Sequence, residues 1–176
     1  MKKFLIVVDM QKDFVDGALG TVEAQTIVPN VVNKIKSFNG DIFVTYDTHY
    51  ENYMDTREGA KLPVPHCIKG TPGWELNKDI KEALSDKKYT VVEKLTFGSV
   101  TLPDMIKEAA NGEELSIELV GLCTDICVVS NALLLKASFT EQDICVDASC
   151  CAGVTVESHQ AALTTMRMCQ IDIINE

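Results

Sequence analysis

The chain has 176 residues, 46% of them hydrophobic and 24% charged, a length that suits one domain with a sizeable core and a balance that excludes a disordered tail. With 16 basic against 26 acidic side chains the formal charge is −10, which repels phosphate backbones and anionic lipid and so argues against nucleic-acid and membrane partners. A small neutral or cationic substrate fits that charge better than a polyanion does.

Phe4–Val8 reads as a buried strand; it is too short for the apolar segment of a signal peptide and is interrupted by Asp9. Residues 24–38 place Ile27, Val28, Val31, Val32 and Ile35 at helical spacing. Asp41–Asp47 is a second strand, and a polar stretch with Pro and Gly follows from about Thr48 to Gly73. Residues 75–85 are helical, Tyr89–Glu93 is a third strand, and a helix over 103–110 opens with Pro103, a good first-turn residue. Leu115–Gly121 is a fourth strand and Asp125–Ser138 a strongly helical segment. Asp143–Asp147 is a fifth strand, 156–169 a helix, and Ile171–Ile174 a sixth strand. No stretch approaches the roughly 20 apolar residues that span a bilayer.

Strands rich in β-branched residues and separated by helices predict a single α/β domain over residues 1–176. Its architecture is a three-layer, doubly wound fold with a six-stranded, mainly parallel sheet. In such sheets ligands bind beyond the carboxyl ends of the strands, where strand order reverses. The seven cysteines lie mostly in apolar runs, show no Cys-x-x-Cys spacing, and read as reduced thiols of a cytoplasmic protein.

The strand ends carry the chemistry. Strand one ends in Asp9, strand two in Asp47-Thr48-His49, strand three in Lys94, and strand four just before a helix with Cys127 in its first turn. A thiol there feels the positive end of the helix dipole, which favours the thiolate, and unpaired N–H groups nearby can hold an oxyanion. The alternative for Cys127 is the common fate of a free cysteine, a small buried hydrophobe. Cys123 precedes the helix and reads as a packing residue. Asp9 is either a solvated strand end or a general base whose pKa is raised by partial burial. Lys94 either pairs with Asp9 or Glu93, or stabilises negative charge in a reaction.

Asp47 and His49, at i and i+2 on extended backbone, face one side and can reach one ion. His66 lies in the long loop, a common place for function, and Glu58 is close enough to join directly or through water. One carboxylate and two imidazoles suit zinc, iron or manganese with positions left for water or substrate; an ordinary polar loop is the alternative. The third histidine, His159, falls on the last helix as a surface or packing residue.

These motifs resemble those of the isochorismatase-like cysteine hydrolases over nearly the whole chain. The resemblance is carried by Phe4-Leu5-Ile6-Val7-Val8-Asp9-Met10-Gln11-Lys12-Asp13-Phe14, by the Lys94 strand end, and by Gly121 to Val128 with its Thr-Asp-x-Cys-Val signature. It continues through Asp147-Ala148-Ser149-Cys150-Cys151-Ala152-Gly153 and Glu157-Ser158-His159. It implies a triad of Asp9, Lys94 and Cys127. It also implies a cis peptide between Leu122 and Cys123, which turns the N–H of residue 123 toward an oxyanion beside the N–H of Cys127.

Asp-x-His, Pro65-His66-Cys67 and Gly70-Thr71-Pro72-Gly73 are similar to the nicotinamidase and pyrazinamidase subgroup. That likeness implies one divalent metal, zinc first and iron or manganese next, held by Asp47, His49 and His66 with Glu58, and bound to a pyridine nitrogen of the substrate. Phe14 would line the ring pocket. Several nicotinamidases have an aromatic residue three positions before the second metal histidine; here Pro63 stands there, after Leu62. The ring then packs differently, against Phe97, or the preferred substrate differs.

The implied activity is deamidation of nicotinamide to nicotinate and ammonia through a thioester, in a homo-oligomer whose partner is a small-molecule amide. One alternative is another amidohydrolase of the superfamily, acting on a different small amide or carbamoyl compound. A second is a non-catalytic metal- or redox-responsive binding protein, which leaves Asp9 and Lys94 unexplained. A nucleotide-binding reading fails for want of Gly-x-Gly-x-x-Gly after strand one.

Overall fold

A computed structural model describes residues 1–176. Its strands are β1 (Lys2–Val8), β2 (Asp41–Asp47), β3 (Tyr89–Lys94), β4 (Leu115–Leu122), β5 (Asp143–Ala152) and β6 (Asp172–Ile174). They form one six-stranded sheet in the order β3-β2-β1-β4-β5-β6, with every pairing parallel. The helices are α1 (Lys12–Val15), α2 (Val22–Ser37), α3 (Arg57–Lys61), α4 (Lys78–Ala83), α5 (Leu102–Ala110), α6 (Val129–Ser138) and α7 (Val156–Met168). The doubly wound α/β reading holds, and the sheet is wholly rather than mainly parallel. Strand order reverses between β1 and β4, which opens a crevice beyond their carboxyl ends. No helix is long and apolar enough to cross a membrane.

β1 explains why a short apolar run can be read with certainty as a central strand. Phe4 through Val8 have no exposed surface at all, as expected for a parallel strand covered on both faces. Alternation sends Phe4, Ile6 and Val8 into one core with Leu102, Ile106 and Leu135 of α5 and α6. Leu5 and Val7 enter the other core, with Val31 and Ile35 of α2 and Ile80 of α4. Each such side chain stabilises the fold by about 1.5–3 kcal/mol.

Several boundaries differ from the expected ones. α2 begins at Val22 because the Thr21 side chain accepts the Ala24 N–H at 3.0 Å, capping the helix ahead of its first buried residue. The stretch from Thr48 to Gly73 is not all loop: a 3-10 turn, Tyr53–Asp55, leads into α3, whose first turn is capped by Thr56. α4 is shorter than residues 75–85, since Asn77 caps it late. The predicted helix 125–138 is in two parts, a π-turn over Thr124–Val128 and then α6.

β5 continues to Ala152, well past Asp147. A carboxylate inside a sheet needs partners, and Asp147 has them: Lys34 of α2 at 2.8 Å, Asn175 at 2.9 Å and the Ser149 hydroxyl at 2.7 Å. Lys34 also reaches Glu118 of β4 at 2.5 Å, so one ammonium ties α2 to two strands. The register between β4 and β5 shifts between Leu119 and Gly121. Gly121 has φ +116 and pairs with Val8, the residue before Asp9. A Cβ there would collide with the Val8 carbonyl oxygen.

Gly121→Ala should therefore destabilise the protein by at least about 2 kcal/mol in urea unfolding, the combined effect of a forbidden φ and a backbone clash. Lys34→Met should lower stability at neutral pH by about 1–2 kcal/mol, because two carboxylates are left facing each other. Burial opposes ionisation of Asp147, but hydrogen bonds from Lys34, Ser149 and Asn175 hold its carboxyl below the ordinary value. A depressed carboxyl stabilises the fold above its unfolded pKa and loses that contribution as pH falls through the folded one. The gap between wild type and Lys34→Met should consequently narrow below about pH 4, as read from urea midpoints at neutral and acid pH.

Candidate active site

Four strands deliver their carboxyl ends to one rim. Asp9 follows β1 at φ +46, a left-handed conformation that aspartate adopts more readily than most residues. Thr45 of β2 fixes it: the Thr45 hydroxyl donates to Asp9 Oδ1 at 2.6 Å, and the Asp9 N–H points to Thr45 Oγ1 at 3.2 Å. Lys94 ends β3 in register with Asp47. Its ammonium lies 2.6 Å from Asp9 Oδ2, 3.2 Å from Asp47 Oδ1 and 3.5 Å from Cys127 Sγ, and it donates to the Thr96 carbonyl at 3.1 Å. Asp9, Lys94 and Cys127 are 0%, 3% and 5% exposed, so water competes for none of these contacts. The three residues that are far apart in sequence meet around one ammonium.

Burial pushes the Asp9 carboxyl above its ordinary value, with the Lys94 charge acting against it. Burial also pushes the Cys127 thiol well up; the Asp9 charge adds to the rise and Lys94 opposes it. Lys94 itself stays protonated: burial works against its charge, but Asp9, Cys127 and Asp47 hold the proton on. Burial thus works against the thiolate that a helix N-terminus would favour. Cys127 sits in the π-turn, closed by the Val128 N–H on the Cys123 carbonyl at 3.0 Å, and desolvation outweighs the dipole. Burial favours the thiol over the thiolate, so a base beside the sulfur would assist its attack.

Beside this group, Asp47, His49, Glu58 and His66 bring one potential ligand atom each to within 4.8 Å of one another. His49 Nε2 is 3.1 Å from Asp47 Oδ2 and 3.5 Å from Glu58 Oε1; His66 Nε2 is 3.5 Å and 3.9 Å from the same two atoms. His66 Nδ1 donates to the Val64 carbonyl at 2.8 Å, which aims Nε2 at the quartet. His49 Nε2 is buried without any hydrogen-bond partner, a state that a native interior rarely tolerates. Burial opposes the Asp47 charge, yet the two imidazoles and Lys94 hold its carboxyl well below the usual carboxylate range. Asp9, Asp47 and Glu58 set three carboxylates against the one ammonium of Lys94. The excess negative charge, two nitrogens and two carboxylates fit a divalent cation such as zinc, iron or manganese.

Sequence reasoning missed the side chains that hold this geometry. Gln11, wholly buried, donates from Nε2 to the carbonyls of Asp47 and Trp74, both at 2.8 Å, and accepts the Asp47 N–H at 2.8 Å. Asp13 accepts the Cys67 N–H at 2.8 Å and lies against Gly73, so it pins the loop that carries His66. Asn131 of α6 donates to the Cys127 carbonyl at 2.8 Å and to the Phe97 carbonyl at 3.2 Å, tying the π-turn to the loop after β3. The available signal for Gln11 and Asp13 was their place just past the end of an apolar strand. Asn131, next to Ser130 at the start of a mostly apolar helix, gave only a weak signal, and Thr45 gave none.

A cavity of about 220 Å³ joins the two groups, with Asp47, Glu58 and His66 on one side and Cys127 on the other. Phe14 packs edge-on to His66, centroids 5.5 Å apart, and Phe97 stands at the mouth, 43% exposed. Leu62, the residue before Pro63, also lines it. Two earlier readings change. Cys123 is not simply packed away, since it lines this cavity. His159 is neither a free surface residue nor plain packing: its Nδ1 is 2.8 Å from Thr124 Oγ1, at the start of the π-turn. The Leu122–Cys123 peptide is cis.

Residues 3–175 match the Isochorismatase domain family. Over 146 residues, 76% of this chain and 78% of the relative, the sequence is 33% identical to a Bacillus subtilis (strain 168) protein named "Uncharacterized isochorismatase family protein PncA". Among solved structures, the nicotinamidase/pyrazinamidase PncA from Bacillus subtilis superposes with a TM-score of 0.85 at 26% identity, covering 99% of this chain and 100% of that one. The pyrazinamidase of Pyrococcus horikoshii in complex with zinc superposes at 0.84 and 26% identity, with 100% of both chains covered. With this match over almost its full length and these neighbours, the chain belongs to the isochorismatase family, as a hydrolase that acts on amide bonds.

Proposed function

We propose that the protein is a metal-dependent cysteine amidohydrolase that converts nicotinamide and water to nicotinate and ammonia. One observation carries the reading: the buried ammonium that touches Asp9 and Cys127 also touches Asp47 of the metal-donor quartet, and Asp47 and Cys127 line one cavity. The nicotinamidase and pyrazinamidase relatives support the choice of amide, and the zinc of the Pyrococcus horikoshii protein supports the choice of metal.

In this mechanism Asp9 takes the Cys127 proton as the sulfur attacks the carboxamide carbon. A C–S bond forms and the carbonyl electrons move to oxygen. The N–H groups of residues 123 and 127 receive that oxyanion, and Lys94 supplies positive charge nearby. On collapse the C–N bond breaks, Asp9 returns the proton to nitrogen, and ammonia leaves. Water then adds to the thioester with Asp9 again as base, freeing nicotinate and the Cys127 thiol. A carboxyl lifted by burial is the better base for both proton transfers. Asp47, His49, His66 and Glu58 would hold a divalent ion that binds the ring nitrogen and fixes the amide's approach. Phe14 and Phe97 flank the ring. The cavity of about 220 Å³ lies below the roughly 300–1,000 Å³ of pockets for drug-sized ligands, which limits the core of the substrate to one ring.

Cys127→Ala should cut ammonia release from nicotinamide by at least about 10³-fold while leaving the circular dichroism spectrum and metal content intact; turnover close to wild type would remove Cys127 as nucleophile. His49→Ala should lose bound metal on dialysis, measured by elemental analysis, and bind nicotinamide more weakly. Metal content equal to wild type in that variant would strike His49 from the ligand set.

A further inference from the structure

Next to the reaction pocket lies a second, wider chamber of about 920 Å³. Glu58, Leu62, Phe97 and Ile126 line both, so the two stand on either side of a wall made of these side chains. Farther out, the chamber is bounded by Arg57 and Lys61 of α3 and, across from them, by Asp125 and Ser130.

Two cations and two acids line this recess. The chain carries −10 overall, yet neither Arg57 nor Lys61 enters any of its ion pairs; Arg167, the other arginine, is paired with Glu176. The two cations are i and i+4 on one short helix and so share a face. The acids nearby are engaged elsewhere. Glu58 is turned to His49 and His66 at 3.5 and 3.9 Å. Both Asp125 oxygens lie 3.1–3.2 Å from the Val154 N–H. The Ser130 hydroxyl donates to the Ile126 carbonyl at 2.6 Å. What remains free in the chamber is a guanidinium and an ammonium behind the apolar side chains of Leu62 and Phe97.

We propose that this chamber is a second subsite, which takes the arm of a ring amide bearing a short anionic substituent, a carboxylate in the first instance. The inference rests on the amidohydrolase reading of the inner pocket. With the ring held between Phe14 and the metal-donor quartet, a substituent remote from the amide passes Leu62 and Phe97, whose apolar surface suits its carbon stem. Its charge then meets Arg57 and Lys61, donors whose charge-assisted hydrogen bonds favour a carboxylate over a neutral group.

The test compares nicotinamide with two analogues substituted on a ring carbon remote from the amide, one ending its short arm in a carboxylate and one in a hydroxyl. Ammonia release gives kcat/KM, and calorimetry on Cys127→Ala protein gives binding without turnover. The carboxylate arm should exceed the hydroxyl arm by about 5- to 10-fold in both readouts. In the Arg57→Ala/Lys61→Ala double variant that ratio should fall to about one, with nicotinamide turnover unchanged. Equal values for the two arms in the wild type, or a double variant that impairs nicotinamide as much as the carboxylate analogue, overturns the subsite. Nicotinamide hydrolysed with no preference between arms removes the subsite alone. Preferential binding of the carboxylate arm without turnover of any amide keeps the subsite and removes the amidohydrolase reading. Neither binding nor turnover removes both.

Discussion

The Lys94 ammonium, held between the Asp9 and Asp47 carboxylates with almost no access to water, is the contact on which the site is built. An unpaired ammonium at that depth would cost several kcal/mol, and so would either carboxylate without it. The three charges are therefore acceptable only together, and they sit at the ends of three adjacent strands. Slipping β3 by one residue would turn Lys94 to the other face of the sheet and strand both acids. The requirement that buried charges be matched thus fixes strand register at the rim. It also welds the reacting group to the metal-donor group, since Asp47 belongs to both.

Around that centre the work is divided by the kind of structure that carries each residue. Asp9, Asp47, His49 and Lys94 sit at or just past strand ends, where the parallel ladder leaves them little freedom. Gln11 and Asn131 extend that order into loops by hydrogen-bonding backbone groups, Gln11 at Asp47 and Asn131 at Cys127 and Phe97. The walls of the cavity come instead from short helices and turns, with Phe14 on α1, Leu62 after α3 and Phe97 after β3. Reaction chemistry placed on the rigid frame and ligand selection placed on the connections can vary independently.

Which parts of this were legible in the sequence follows from the range of the forces involved. Buried parallel strands announce themselves locally, because covering both faces demands an unbroken apolar run such as Phe4–Val8. The residues at their ends then stood out as charges where the apolar run stopped. Asp147 misled for the same reason: it looks like a strand end, and only Lys34 and Asn175, distant in sequence, make it admissible inside β5. The π-turn was invisible, since nothing in Thr-Asp-Ile-Cys-Val separates such a turn from the opening of the helix that follows it. Gln11 stands in a polar run just past a strand end, and that its carboxamide holds both backbone groups of Asp47 is a matter of three-dimensional pairing alone.

That burial favours the thiol bears on how a dry pocket can run a charged reaction. Under the proposed mechanism, moving a proton from Cys127 to Asp9 turns a carboxylate and a thiol into a carboxylic acid and a thiolate. The net charge of the buried cluster is the same before and after, so no additional ion has to be stripped of water. Only the position of the negative charge changes, and Lys94 already touches both places, 2.6 Å from the carboxylate and 3.5 Å from the sulfur. A permanent thiolate would add a third buried anion beside Asp9 and Asp47, with the single Lys94 ammonium to balance them. Burial raises both the acid and the thiol, which fits a proton passing between them with no ion added to the buried cluster.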